Sequence, residues 1–265
     1  MPSPSEPALT IPADPSSRRR TCVVTGSASG IGAATVAALA RAGYDTFGLD
    51  LQADRAEQVA LQAELDAPGT RHGSVACDVA DESQVLAGFA GARAFLGPID
   101  TLVTSAGVVD TTAFMDITVE QFRRIHDVNV VGTWLCMREA ARHMRPGGAI
   151  CAIASIAGLR GGGLSGTAAY AASKGGVIAL AKNAARVLAA QGLRVNTLSP
   201  GATDTPMIEQ PLSDPAHRAR IEGLAAQRRI GQAAEIASGV VYLLSPQASF
   251  THGANLVVDG GIVIA

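Results

Sequence analysis

From residue 21 onward, short β-branched runs alternate with longer stretches of helical character. C-V-V-T leads into a helix over residues 31–42, T-F-G-L-D into one over 55–65, and S-V-A-C-D into one over 82–95. I-D-T-L-V-T precedes a long helix near 119–144, and A-I-C-A-I-A precedes one from about 170 to 190. R-V-N-T-L, a helix near 234–244 and N-L-V-V-D complete the series. Strict alternation of this kind predicts a parallel sheet with helices on both faces, and seven strands suffice for one doubly wound domain. No repeat or composition break divides the chain. The one long stretch between a strand and its next helix, residues 199–232, reads as a mobile lobe.

The first twenty residues stand outside this pattern. They hold five prolines, end in Arg18-Arg19-Arg20 and lack the apolar core of a signal peptide, so they read as a flexible tail preceding a domain over 21–265. Residues 21–40 form a twenty-residue stretch without a charge, long enough to suggest a membrane span. Three glycines, five hydroxyl residues and a switch from strand to helix character halfway exclude that reading.

Composition narrows the function classes. Lys+Arg 21 against Asp+Glu 23 gives no nucleic-acid footprint, and 48% hydrophobic residues argue against disorder. The four cysteines form no C-x-x-C pair, and neither they nor the five histidines cluster as metal ligands. They read as buried thiols of a cytoplasmic protein, with no metal and no membrane or nucleic-acid partner.

Chemistry enters at the first strand–helix junction, T-G-S-A-S-G-I-G. Gly26 permits a tight turn, Gly30 lets backbone approach a pyrophosphate, and Gly32 lets the helix pack closely on the strand. The spacing G-x-x-x-G-x-G differs from the general dinucleotide fingerprint G-x-G-x-x-G. Eighteen residues past Gly32 the second strand ends in Asp50, placed to accept hydrogen bonds from ribose hydroxyls. A 2′-phosphate would meet that carboxylate, and neither Ser29 nor Leu51 supplies a basic partner, so the reading selects NAD over NADP. Asp78, ending the third strand, is placed to accept from an adenine amino group beside the Val79 amide, while Asp81 is the better helix cap.

The second chemical signal is Y-A-A-S-K, Tyr170 to Lys174. Residues four apart share a helix face, so an ammonium can lie near a phenol. A free tyrosine ionises near 10. At ~5 Å and an effective dielectric of ~20, one ammonium stabilises a phenolate by ~3 kcal/mol, about 2 pKa units. Ser155 ends the strand A-I-C-A-I-A at the same sheet edge as the glycine loop, where its hydroxyl can donate to a carbonyl oxygen. Asn129 is a poor helix former at an apolar site, and a buried polar side chain there needs a partner.

Together these elements resemble the short-chain dehydrogenase/reductase family, in its roughly 250-residue, NAD-preferring branch. The likeness runs from residue 21 to 261. It is carried by the glycine loop, Asp50, C-D-V at 77–79, A-G at 106–107, N-V-V-G at 129–132, Ser155, Y-A-A-S-K and S-P-G-A-T-D-T-P-M at 199–207. The resemblance implies an α/β fold with a single Rossmann-type domain, and a catalytic tetrad of Asn129, Ser155, Tyr170 and Lys174. In it Asn129 holds a water that connects Lys174 to solvent. It implies NAD contacts along Gly26, Ser29, Gly30, Ile31 and Gly32, then Asp50, Leu51, Asp78 and Val79, then Ala106 and Gly107. Tyr170 and Lys174 would also touch the cofactor, as would Pro200, Gly201, Thr203 and Thr205, the two threonines meeting the nicotinamide carboxamide. A homotetramer is implied as well, fitting the surplus of small and apolar residues on the helices near 119–144 and 170–190.

The expected activity is interconversion of a secondary alcohol and a ketone by hydride transfer, with tyrosine acid–base catalysis. An acyl-thioester ketoreductase and a non-catalytic dinucleotide-binding regulator are the alternatives. Two departures from the family pattern stand out. Thr104-Ser105-Ala106-Gly107 replaces N-N-A-G, putting a strand tie in doubt, and the segment between Ser155 and Tyr170 is about two residues longer than common. Candidate substrate walls are Val108, Leu159, Leu164, Met207, Ile208 and Leu212, with Arg160 as an anchor for an acid.

Overall fold

The computed structural model describes residues 18–162, 167–208 and 213–264. Seven parallel strands form one sheet in the order β3-β2-β1-β4-β5-β6-β9. They are β1 (Thr21–Thr25), β2 (Asp45–Asp50), β3 (His72–Ala76), β4 (Ile99–Thr104), β5 (Met144–Ile153), β6 (Arg194–Pro200) and β9 (Asn255–Val258). Chain order reverses direction at β1, which pairs with both β2 and β4. The crevice beyond the carboxyl ends of β1 and β4 is therefore where such a sheet accepts a ligand.

Alternate residues of each central strand feed two separate cores. Val23, Leu102 and Ile150 point to one face, Cys22, Val103 and Cys151 to the other. This is why the strands read as unbroken apolar runs. The first face is covered by α3 (Glu82–Leu96), α5 (Thr133–His143) and α7 (Ala168–Leu188), through residues such as Phe89, Leu135 and Val177. The second is covered by α1 (Gly30–Arg41), α2 (Ala53–Asp66) and α9 (Ala233–Leu244), through Leu39, Ala63 and Leu244. Asp81 caps α3, accepting from the Ser83 and Gln84 amides at 2.9 and 3.3 Å.

Three regions depart from the sequence pattern. The single helix expected near 119–144 is broken: α4 (Val119–His126) passes through a wider π-helical turn, Asp127–Gly132, into α5, and β5 already begins at Met144. Apolar spacing continues through the break, so periodicity alone could not show it, and such turns gather at functional sites. Residues 199–232 are partly regular. They form a two-stranded parallel ribbon, β7 (Thr203–Asp204) with β8 (Gly231–Gln232), and the helix α8 (Pro215–Leu224). A short helix, α6 (Ala157–Arg160), precedes α7.

Arg18 and Arg20, grouped by the sequence with the tail, are tied to the domain. Arg18 pairs with Asp100 at 2.6 Å, and Arg20 donates to the carbonyls of Leu244 and Gly147. Burial alone would raise the Asp100 pKa. Arg145, the Thr21 amide and Arg18 outweigh it and hold that carboxyl below its usual range.

The four cysteines are free and buried. Among the described residues, no helix is long and apolar enough to cross a membrane, and no cluster of His, Cys, Asp or Glu is disposed to hold a metal ion.

Candidate active site

A cavity of about 350 Å³ opens along the carboxyl edge of the sheet, from β3 across the glycine loop to the 199–232 lobe. Its first wall is the loop between β1 and α1. Gly26 and Gly30 adopt φ of +68° and +53°, which favour glycine. A Cβ on Gly26 would stand 2.7 Å from the Ala106 amide nitrogen, and one on Gly32 only 1.9 Å from the Gly26 carbonyl oxygen. Gly32 does not line the cavity; it is what lets α1 sit against the turn. Helix α1 has no side-chain cap at Ser29 and no acid in its first turn, so its terminal N–H groups and positive dipole end remain free beside the cavity. An open, glycine-walled helix terminus of this kind fits a pyrophosphate, and the residues present therefore fit a dinucleotide.

Asp50 shapes the loop as well as the cavity. Its carboxylate accepts from the Ala28 and Gln52 amides, each at 2.9 Å. A carboxylate offers about four acceptor positions, so two remain for a ligand diol. Leu51, Asp78 and Val79 line the same end. Arg124, on α4, also lines it, 3.8 Å from Asp78. The sequence reading passed over Arg124; the signal available was its i, i+4 spacing with Val128, which lines the cavity one turn later.

At the other end Ser155, Tyr170 and Lys174 come together with Ala106, Gly107, Pro200, Gly201, Thr203 and Thr205. Ser155 stands just past β5, its hydroxyl accepting from the Ala157 amide at 3.1 Å. Lys174 is buried and donates to the Ile153 carbonyl at 2.9 Å, with its nitrogen 5.8 Å from the centre of the Tyr170 ring. A Cβ on Gly107 would lie 3.4 Å from that nitrogen and 3.2 Å from Asn129 Oδ1, so this glycine leaves room for both. Thr205 closes over the loop, its side chain 3.3 Å from where a Gly30 Cβ would stand.

Asn129 is fully buried in the π turn and does not line the cavity. Its Oδ1 accepts from the Val108 amide, and its Nδ2 donates to the Val108 carbonyl and to Ser173 Oγ, all at 2.9 Å. Ser173 in turn donates to the Tyr170 carbonyl at 2.7 Å. Asn129 thus links the segment after β4 to the first turns of α7. Ser173 went unrecognised as part of that link although it lies inside Y-A-A-S-K.

The electrostatics correct one expectation. The ammonium was expected to draw the Tyr170 pKa down; in the structure burial is the main influence and raises it, and the neighbouring Ser155 hydroxyl is what pulls the other way. Burial also lowers the Lys174 pKa, to about 8. A lysine enclosed with the phenol loses much of its own stability as a cation, which a dielectric of ~20 at ~5 Å did not take into account.

Two substrate-wall expectations change as well. Val108, Met207 and Ile208 line the cavity, but Leu159 and Arg160 do not. A Cβ on Gly158 would lie 2.5 Å from the Gly175 amide nitrogen, so α6 packs on α7 through that glycine and its last two side chains are left exposed. Leu164 and Leu212 lie outside the described residues. The strand tie in doubt at Ser105 is made by other atoms: Thr25 Oγ1 accepts from the Ser105 and Ala106 amides at 3.2 and 3.1 Å.

Comparison with known proteins gives a consistent result. Residues 26–263 match the sequence profile described as enoyl-(acyl carrier protein) reductase. Cis-4-hydroxycyclohexanecarboxylate dehydrogenase of Sinomonas cyclohexanicum is 39% identical over 91% of this chain and 96% of its own. 2-(R)-hydroxypropyl-CoM dehydrogenase of Xanthobacter autotrophicus is 36% identical over 91% and 97%. Among solved structures, a short-chain dehydrogenase/reductase from Brucella melitensis superposes with a TM-score of 0.86 at 29% identity, covering 93% of this chain and 97% of that one. Likeness sustained along nine-tenths of the sequence, and in the fold itself, shows that the chain belongs to the short-chain dehydrogenase/reductase family of nicotinamide-dependent oxidoreductases.

Proposed function

We propose that this protein is an NAD(H)-dependent oxidoreductase interconverting a secondary alcohol and a ketone, with Tyr170 as the acid–base group. The observation that carries the reading is the meeting of the Ser155 and Tyr170 hydroxyls at one end of the cavity, with Lys174 one helical turn behind. Both relatives named above are called dehydrogenases, which supports this chemistry over the enoyl reduction in the profile's description. It also disfavours a regulator without turnover.

The loop from Gly26 to Gly32 and the α1 terminus would hold the pyrophosphate, Asp50 the adenosine ribose, and Asp78 with Val79 the adenine. Lys174 would hold the second ribose, and Thr203 and Thr205 the carboxamide. When bound, the oxidised nicotinamide supplies the hydride acceptor and a positive charge within the cavity. In the oxidative direction Tyr170, as phenolate, takes the hydroxyl proton while the carbinol C–H bond breaks and its electron pair leaves as hydride, so that a ketone results. Ser155 donates to the substrate oxygen throughout. Asn129 is a positioning residue, holding Val108 and, through Ser173, the Tyr170 turn. NADH formation across a panel of secondary alcohols tests the reading; cofactor binding without turnover of any of them removes it.

The assignment of NAD rests on Asp50. Asp50→Ala removes the diol acceptor and one anchor of the glycine loop, so NADH affinity should fall and the preference for NAD over NADP should narrow at least about tenfold. Fluorescence titration of both reduced cofactors measures it. Equal or better turnover with NADP in the unaltered protein would refute the choice.

Self-association belongs to the same reading. Val119, Phe122, Val131 and Trp134, on α4, the π turn and α5, are exposed, as is Val187 on α7. Apolar side chains gathered on paired helices support packing against a second copy, in a tetramer if the family pattern holds. Light scattering at micromolar concentration should give a multiple of the monomer mass, and a monomer would sink the idea. The buried, free thiols fit a cytoplasmic setting.

A further inference from the structure

Resting on the oxidoreductase reading above, we propose that the substrate is an uncharged secondary alcohol with apolar groups flanking the carbinol, and that alcohols bearing a carboxylate, phosphate or sulfonate are rejected. The cavity that Ser155 and Tyr170 line is also walled by Val108, Ala157, Met207, Ile208 and Ile221. Ile208 and Ile221 are buried against Ile230, so that wall is rooted in the lobe's own small core.

Among the described residues only two cationic side chains line the cavity, and both are committed elsewhere. Arg124 is at the adenosine end beside Asp78, and the buried Lys174 ammonium donates to the Ile153 carbonyl. The lobe's arginines face other partners: Arg218 pairs with Glu222, Arg228 donates to the Gly223 carbonyl, and Arg229 pairs with Glu235. Arg160 and Arg220 are exposed, and neither they nor His217 line the cavity. An anion entering this end would give up its water with no uncommitted side-chain cation among the described residues to replace it, an unfavourable exchange. An ester or hydrocarbon group of the same shape would give up little.

The test compares matched pairs that differ only in that charge. The free acids and methyl esters of 3-hydroxybutyrate, mandelate and cis-4-hydroxycyclohexanecarboxylate, with plain cyclohexanol and 2-butanol alongside, are assayed for NADH formation at pH 8. In every pair that turns over, the ester should exceed the acid in kcat/KM by at least about a hundredfold. Met207→Arg, at a half-exposed lining position, should narrow that ratio at least about tenfold, with folding checked by circular dichroism and NADH fluorescence. Arg160→Ala should leave the ratio unchanged. An acid turned over as well as its ester, or acid turnover that disappears in Arg160→Ala, overturns the inference. The oxidoreductase reading survives that result, because NADH is still formed. No NADH from any acid, ester or plain alcohol removes the oxidoreductase reading and the inference with it.

Discussion

Tyr170→Phe should lower turnover at least about a thousandfold while leaving the fold and NADH affinity nearly unchanged. The substitution removes one oxygen from a ring that is buried and packed against Ala157 and Ala171, so the packing survives. What disappears is the group that gives and takes the proton, and general acid–base catalysis is typically worth about 10²- to 10⁴-fold. Loss of a donor to the substrate oxygen adds to that. The pH dependence carries a second, independent signature. Burial holds the phenol above its ordinary value in the free protein, so the phenolate fraction rises with pH through the alkaline range. Oxidation by the unaltered protein should therefore accelerate with rising pH, whereas ketone reduction, which needs the protonated phenol, should not. Residual activity in Tyr170→Phe should lose this dependence. Stopped-flow turnover, NADH fluorescence and a pH series in both directions check the three parts. Retention of more than about a tenth of the normal rate would withdraw the assignment and place the proton transfer on another group.

Lys174→Met should abolish most activity and at the same time stabilise the protein at neutral pH. Lys174 is buried, its hydrogen bond among the described residues is to the Ile153 carbonyl, and burial lowers its pKa from 10.5 to about 8. The folded state therefore disfavours its proton relative to the unfolded chain. Between about pH 8 and 10.5 the unfolded state binds more of that proton, so this residue makes stability rise with pH across that window. Below pH 8 the full cost of the buried cation is present, of order 3 kcal/mol from a shift of this size. Methionine fills a similar volume without charge, but leaves the Ile153 carbonyl without its donor, at a cost of about 1–2 kcal/mol. The net gain at pH 7 should be about 1–2 kcal/mol, or roughly 2–4 °C in Tm for a chain of this length. The advantage should shrink as pH approaches 10. Turnover should fall at least about a hundredfold, with weaker NADH binding, because the ammonium is asked both to hold a ribose and to assist the phenol. A variant that melts below the unaltered protein at pH 7 would show that the ammonium is a net contributor to the fold. A tension between stability and catalysis at a buried charged group is a common feature of active sites.

The sequence alone was enough for the features that depend on local backbone and on period. Seven short apolar runs became seven parallel strands because a strand buried on both faces has no polar side to show, and the residue types of β1, β4 and β5 say so directly. The glycine loop was legible because Gly26 and Gly30 need positive φ and Gly32 needs an absent side chain, demands that hardly any other residue meets. Tyr170 and Lys174 were legible as a pair because helical spacing by itself puts them on one face. Parallel topology then brought Ser155 to the same edge without any knowledge of packing.

Contacts between distant parts of the chain decided the rest. The break at Asp127–Gly132 leaves the apolar spacing of the helix intact and places Asn129 within reach of Val108, twenty-one residues away, an event no local pattern encodes. Arg124 meets Asp78, and Arg18 meets Asp100, only because the sheet order places their elements together. Leu159 and Arg160 point away from the cavity because Gly158 fixes how α6 lies on α7. The pKa values of Tyr170 and Lys174 also belong to this level. Spacing supplies the distance between two charges, but the water excluded around them is set by every element that packs over the site, and that burial raises the Tyr170 pKa and lowers that of Lys174.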